Sequence, residues 1–91
     1  MYEVLSEKNG YMLVQLENNQ YSFGSDDYFK REHETFLKGS KKDILNSLKY
    51  CIRHCEKKII KYEEKNYSTI VELSKQQKEA LLLFVEVLEA L

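Results

Sequence analysis

The hydrophobic period of the chain changes once, and the change divides it into two kinds of structure. Residues 2–24 hold short apolar runs separated by asparagine-rich pairs. From residue 41 onward, apolar side chains recur at intervals of three and four. A period near two suits strands, and a period near 3.6 suits helices. A small sheet followed by long helices is the architecture this order favours.

In the first part, Tyr2, Val4 and Leu5 mark one strand. Asn9-Gly10 then supplies a two-residue hairpin turn, since both residue types tolerate positive φ. Tyr11 to Leu16 reads as a second strand, Asn18-Asn19 as a turn, and Gln20 to Phe23 as a third. Three strands alone are marginal, so one face must pack on helices.

Residues 25–39 carry two patterns. Ser25-Asp26-Asp27 resembles a helix start, with Phe29, His33, Phe36 and Leu37 at helical spacing and Gly39 as a stop. The same stretch also reads as a loop followed by a fourth strand, His33 to Lys38. Thr35, Phe36 and the Gly-Ser break at a strand-to-helix junction favour the strand.

Ser40 is a suitable N-cap for a helix over 41–65. Ile44, Leu45, Leu48, Cys51, Ile52, Cys55, Ile59 and Tyr62 form a stripe ~120° wide along it, the width of a core-facing side. Asn66 is a natural break. A last helix over about 69–91 starts near Ser68 or Thr69, or at Ser74, where Ser74 and Gln77 form a capping box. Leu73, Ala80, Leu81, Phe84, Val87, Leu88 and Leu91 form its stripe. The expected fold is therefore a single α+β domain over 1–91, with an antiparallel meander of three or four strands within 2–38 and then two antiparallel helices.

A chain of 91 residues buries only about 60–65% of its unfolded surface, so its stability margin is thin and self-association would help. Neither a signal peptide nor a membrane-spanning run is visible, which points to the cytoplasm. The abundance of Lys, Asn, Ile and Tyr, whose codons are AT-rich, points to a low-GC bacterial or phage source.

Charge is sorted along the chain. Residues 41–65 carry a net +4, residues 1–40 carry −3 and residues 66–91 carry −2. On the 41–65 helix, Lys42, Lys49, Arg53, Lys57 and Lys61 form a row opposite the apolar stripe. Such a row can follow phosphates or meet an acidic protein face, and it can also serve only solvation. Glu56 and Glu64 stand three residues after Arg53 and Lys61, close enough to pair with them. Ile60 lies on the basic side, where a folded monomer would expose it.

In the last helix, Leu82, Leu83 and Val85 extend the apolar surface around most of the circumference. A helix apolar nearly all round is covered on more than one side, and a two-fold homodimer would do that. These three residues and Ile60 are the candidate oligomer contacts.

Cys51, His54 and Cys55 have helical spacing that could present zinc ligands, but no second Cys or His pair follows at metal-finger spacing. Two thiols in the apolar stripe with a His at its edge is the simpler reading. His33-Glu34 lacks the second His of a metalloprotease helix, because Leu37 stands there. Tyr2, Tyr11, Tyr21 and Tyr28 cluster in the strand half, as half-buried strand residues or as a stacking surface. No catalytic pair, metal site or cofactor is expected.

The expected function is that of a non-enzymatic interaction protein. Such a protein would be a phage or mobile-element accessory or inhibitor that binds and blocks another macromolecule as a homo-oligomer. The alternative is a nucleic-acid or nucleotide-phosphate binder that uses the basic row.

Overall fold

The computed structural model describes residues 2–30 and 37–91. Three strands come first: β1 (Glu3–Lys8), β2 (Tyr11–Leu16) and β3 (Gln20–Ser25). A short helix α1 (Asp26–Lys30) follows, then the long helices α2 (Lys41–Glu64) and α3 (Ser68–Glu89). The sheet is antiparallel with order β1-β2-β3. The α+β arrangement expected from the period change is present, with three strands.

Asparagine shapes the turns. Among the described residues, the four non-glycine positions with positive φ are Asn9, Asn18, Asn19 and Asn66. Its short polar side chain makes the left-handed region less costly for Asn than for most residues. Asn9 and Gly10 have φ of 54° and 81°, the two positive values a tight hairpin needs. A Cβ on Gly10 would meet nothing within 4 Å, so its glycine serves backbone conformation rather than space.

The sheet is covered on both faces. Met12, Leu13 and Val14 are consecutive and all buried, as expected of a central strand sandwiched between layers. Leu13 faces the long helices and joins Tyr21, Ile44, Leu48, Ile52, Cys55, Ala80, Leu81, Phe84 and Leu88. Met12 and Val14 face the other way, against Phe29 of α1. The pairing slips between Val4 and Ser6, leaving Leu5 as a bulge. The bulge lets Leu5 join the helix-facing core beside Ser6, the residue opposite Leu13.

Residues 26–30 follow the helical pattern rather than forming the loop that the strand reading placed there. Ser25 Oγ accepts from Tyr28 N at 3.3 Å, and Phe29 is buried on the sheet. The close approach of α1 depends on Gly24, where an added Cβ would lie 3.0 Å from the Tyr28 ring. Residues 33–36 of the expected fourth strand lie outside the described residues, while Leu37 and Lys38 are not in a strand. Among the described residues of this segment, Gly39 reaches the sheet edge, through a bridge in which Tyr21 N donates to Gly39 O at 2.8 Å and Gly39 N donates to Tyr21 O at 3.1 Å.

Ser40 caps α2, its Oγ accepting from Asp43 N at 3.3 Å. The stripe on α2 is as read from sequence. Ile44, Leu48, Ile52 and Cys55 are buried, and Leu45, Cys51, Ile59 and Tyr62 are half-buried. At Asn66 the helix closes in a left-handed turn, with Tyr67 N donating to Tyr62 O at 3.0 Å and Asn66 N to Glu63 O at 3.1 Å.

Helix α3 starts at Ser68, not at the Ser74 capping box. Ser74 is buried inside the helix because its side is turned toward α2. Leu73 and Leu91, assigned to the core stripe, are 60% and 58% exposed. Val71, left out of that stripe, is buried.

Candidate interaction surfaces

The helical hairpin is longer than the sheet it packs on. Helix α2 has 24 residues, which at ~1.5 Å per residue is about 36 Å. A six-residue strand covers only about 20 Å. The mismatch sets the molecule's dimensions of 44 × 27 × 18 Å and its radius of gyration of 13.8 Å. A compact chain of this length would have a radius nearer ~12 Å.

The sheet ends level with the middle of α3. Asn9, in the β1–β2 turn, donates its side-chain N–H to Gln76 O at 2.9 Å and to Glu79 Oε2 at 3.3 Å. The helix-facing core stops at Cys55 on α2 and Ala80 on α3. Beyond that line, apart from the Asn9 contact with Gln76, the described residues on the hairpin are the two helices themselves, and the buried residues between Ile59 and Ser74 are Val71 and Ser74.

The projecting end carries uncovered apolar side chains. Ile70, Leu73, Ala80 and Phe84 are spaced to share one face of α3. Ala80 and Phe84 are fully buried against the sheet. Ile70 and Leu73, past its end, are 40% and 60% exposed. Tyr62 and Tyr67 lie at the same tip with ring centroids 5.8 Å apart. The sequence reading missed this surface because it treated the stripe as uniformly core. The available signal was a comparison of lengths: six-residue strands cannot cover helices of 22 and 24 residues.

The basic row is intact. Lys42, Lys49, Arg53, Lys57 and Lys61 are all exposed on α2. The acids nearest them turn elsewhere or stay apart. Glu56 pairs with Lys78 of α3 at 3.5 Å, rather than with Arg53. Glu63 pairs with Lys75 at 3.7 Å. Among the described residues, no ion pair joins Glu64 to Lys61 or any acid to the five cations. The Lys61 ammonium sits 5.5 Å from the Tyr62 ring centroid.

The candidate oligomer residues divide. Ile60 is 62% exposed beside the basic row, and Leu82 is 44% exposed on the side of α3 away from the sheet. Leu83 is half-buried, and Val85 packs against the helix-facing core.

Cys51, His54 and Cys55 do not converge. Cys55 is buried in the core, Cys51 is half-buried, and His54 is exposed with its ring 4.5 Å from the Tyr50 ring. Burial pushes both thiols above the ordinary thiol value. At Cys55, Lys58 and Lys78 oppose that rise. Such thiols are poor nucleophiles and poor metal ligands at neutral pH. No group of three or more His, Cys, Asp or Glu side chains placed to hold a metal occurs among the described residues.

The tyrosines of the strand half also divide. Tyr21 is buried, Tyr11 and Tyr28 are half-buried, and Tyr2 stacks 5.5 Å from Phe29. Tyr28 OH accepts from Leu37 N at 2.8 Å, and Ser22 Oγ donates to Leu37 O. Tyr11, Tyr21 and Tyr28 build the sheet layers, and Tyr2 is left exposed beside Phe29. Among the described residues, no helix is long and apolar enough to cross a membrane. Compared with protein families, with curated proteins and with solved structures, the chain matches none.

Proposed function

We propose that the chain is a non-enzymatic interaction module that self-associates and binds and blocks another macromolecule. The observation that carries this reading is the projecting hairpin end, where Ile70 and Leu73 continue a core face yet are 40% and 60% exposed. Exposed apolar residues in a group, as opposed to single ones, mark contact surfaces. The AT-rich residue usage and small size support a phage or mobile-element accessory role, with inhibition by occlusion as the mode of action.

The test is a capture experiment from extract of the source organism, read by mass spectrometry for protein and nucleic acid together. Wild type is expected to retain a defined protein that an Ile70→Ser, Leu73→Glu double variant loses while melting at the same temperature. Equal capture by the two proteins would remove the hairpin end from the reading.

A second reading has its own observation. The α2 acids Glu56 and Glu63 pair across to α3, which leaves the basic row without an ion-pair partner among the described residues. That row is suited to a nucleic acid or a nucleotide phosphate. Five phosphate contacts would lower affinity on the order of 500-fold between about 50 mM and about 200 mM salt. Anisotropy titration of labelled oligonucleotides across that range decides it, since a shallow slope excludes phosphate contacts by the row.

A further inference from the structure

The side of the hairpin turned away from the sheet is divided by charge. Its α2 half carries Lys49, Arg53, Lys57 and Lys61 with one acid, Glu64, while its α3 half carries Glu72 and Glu86 with one cation, Lys75, which pairs with Glu63; all are exposed. At ~100° per residue, the sheet side and the α3 side of α2 account for its apolar stripe and for Glu56 and Glu63. Lys49 and Arg53 then point to the back, with Lys57 and Lys61 on its outer flank. The same construction on α3 puts Leu82 at the centre of the back and Glu72 and Glu86 toward its outer flank, while Glu79 accepts from Asn9 of the sheet.

The two halves are also level with each other. The cross-hairpin pairs Glu56–Lys78 and Glu63–Lys75 join residues whose numbers add to 134 and 138. Lys41 Nζ donates to Leu91 O at 2.8 Å, a pair adding to 132, so the three pairs agree on relative height to within about 9 Å, within the combined reach of two long side chains. Lys49 is therefore near the height of Glu86, and Lys61 near that of Glu72. Within one molecule these partners lie on different helices, and no ion pair joins them.

We infer that this face is an interface between two copies of the chain, related by a two-fold axis parallel to the helices. The inference rests on the self-association proposed above and specifies its geometry. A two-fold axis along the hairpin lays α2 of one copy over α3 of the other without changing heights. Lys49 then meets Glu86 of the partner subunit, and Lys61 meets Glu72 of the partner subunit. Leu82 meets the stem of the partner's Arg53, an apolar contact at the centre of a charged rim. A two-fold axis across the helices would instead lay α2 over α2 and set cation against cation, which disfavours it. The face measures about 36 Å by about 20 Å, on the order of 700 Å² per copy, close to the ~800 Å² per partner of a stable complex.

Charge exchange tests the geometry. Variant one is Lys49→Glu with Lys61→Glu, and variant two is Glu72→Lys with Glu86→Lys. Light scattering should find wild type at twice the chain mass, with a dissociation constant that rises with salt. Each variant alone sets like charges together on both seams, and its dissociation constant should rise about 100-fold. Mixed, the two variants make opposite charges on both seams and should form a heterodimer. Circular dichroism melts of the monomers verify that both variants fold. A variant that fails to fold is replaced by the single change Lys49→Glu or Glu86→Lys, with the same readout. Wild type that stays monomeric at millimolar concentration overturns self-association itself. A wild-type dimer unaffected by either variant overturns this geometry and leaves self-association standing through another surface.

Discussion

Phe84 and Leu73 belong to the same face of the same helix, yet one is fully buried and the other is 60% exposed. At the Phe84 end the hairpin has a sheet beneath it, and Leu13 and Tyr21 fill the space between the layers. At the Leu73 end the sheet has already turned back at Asn9-Gly10. The helical pattern in the sequence is continuous across both ends. Amphipathic periodicity therefore states which side of a helix is apolar, and the reach of the neighbouring layer states how much of that side is covered. The first end works as a scaffold, and the second is left available for contact.

The comparison breaks if the two ends respond alike to truncation. Phe84→Ala should cost about 3–5 kcal/mol in urea unfolding, because the cavity lies between the sheet and the two long helices, which cannot all collapse into it. In a chain this small that loss is most or all of the stability. Next in size is Gly10→Ala. A Cβ has room there, so the loss of about 1 kcal/mol comes from the φ of 81° and is read as a shift in the urea midpoint. Leu73→Ser should change stability by less than about 0.5 kcal/mol, as at an ordinary surface position. A cost at Leu73 comparable to that at Phe84 would mean the hairpin end is covered after all.

The smallest effect sharpens the comparison through pH. Cys51 and Cys55 belong to the scaffold end, and burial raises both thiol pKa values. Below the ordinary thiol range both folded and unfolded chains hold their thiol protons, and the full stability is present. As pH rises through that range the unfolded chain ionises first, so stability falls toward the raised folded values. The melting temperature should therefore drop between about pH 8 and about pH 10 by more in wild type than in a Cys51→Ala, Cys55→Ala variant. Equal drops would show that the thiols do not feel the core.

Much of the fold was legible because it depended on neighbours in sequence. Asn9-Gly10 and Asn66 are short-range conformational signals, and Ser40 needs only the next turn of chain to act as a cap. Ser74 shows the limit. Its capping box is locally sound, but a buried position against α2 holds the residue inside the helix, and cores override local propensity. Residues 25–30 show the same limit from the other side. Helix α1 is short, and its place depends on Gly24 letting Tyr28 close over the strand, a contact that no periodicity encodes. The basic row was legible residue by residue. Its acidic counterpart on α3, and the register that sets the two side by side, were not.

Outside residues 25–39, the sequence by itself determined the element types, the turns, the order of strands and helices and the charge carried by each long helix. Each of these follows from residues within a few positions of one another. Only the tertiary structure decided that strand β2 is buried on both faces, that the helices outrun the sheet and that Lys49 and Glu86 stand level across the hairpin. Those facts depend on how layers of unequal length are laid against one another, and contacts between residues far apart in the chain set that arrangement.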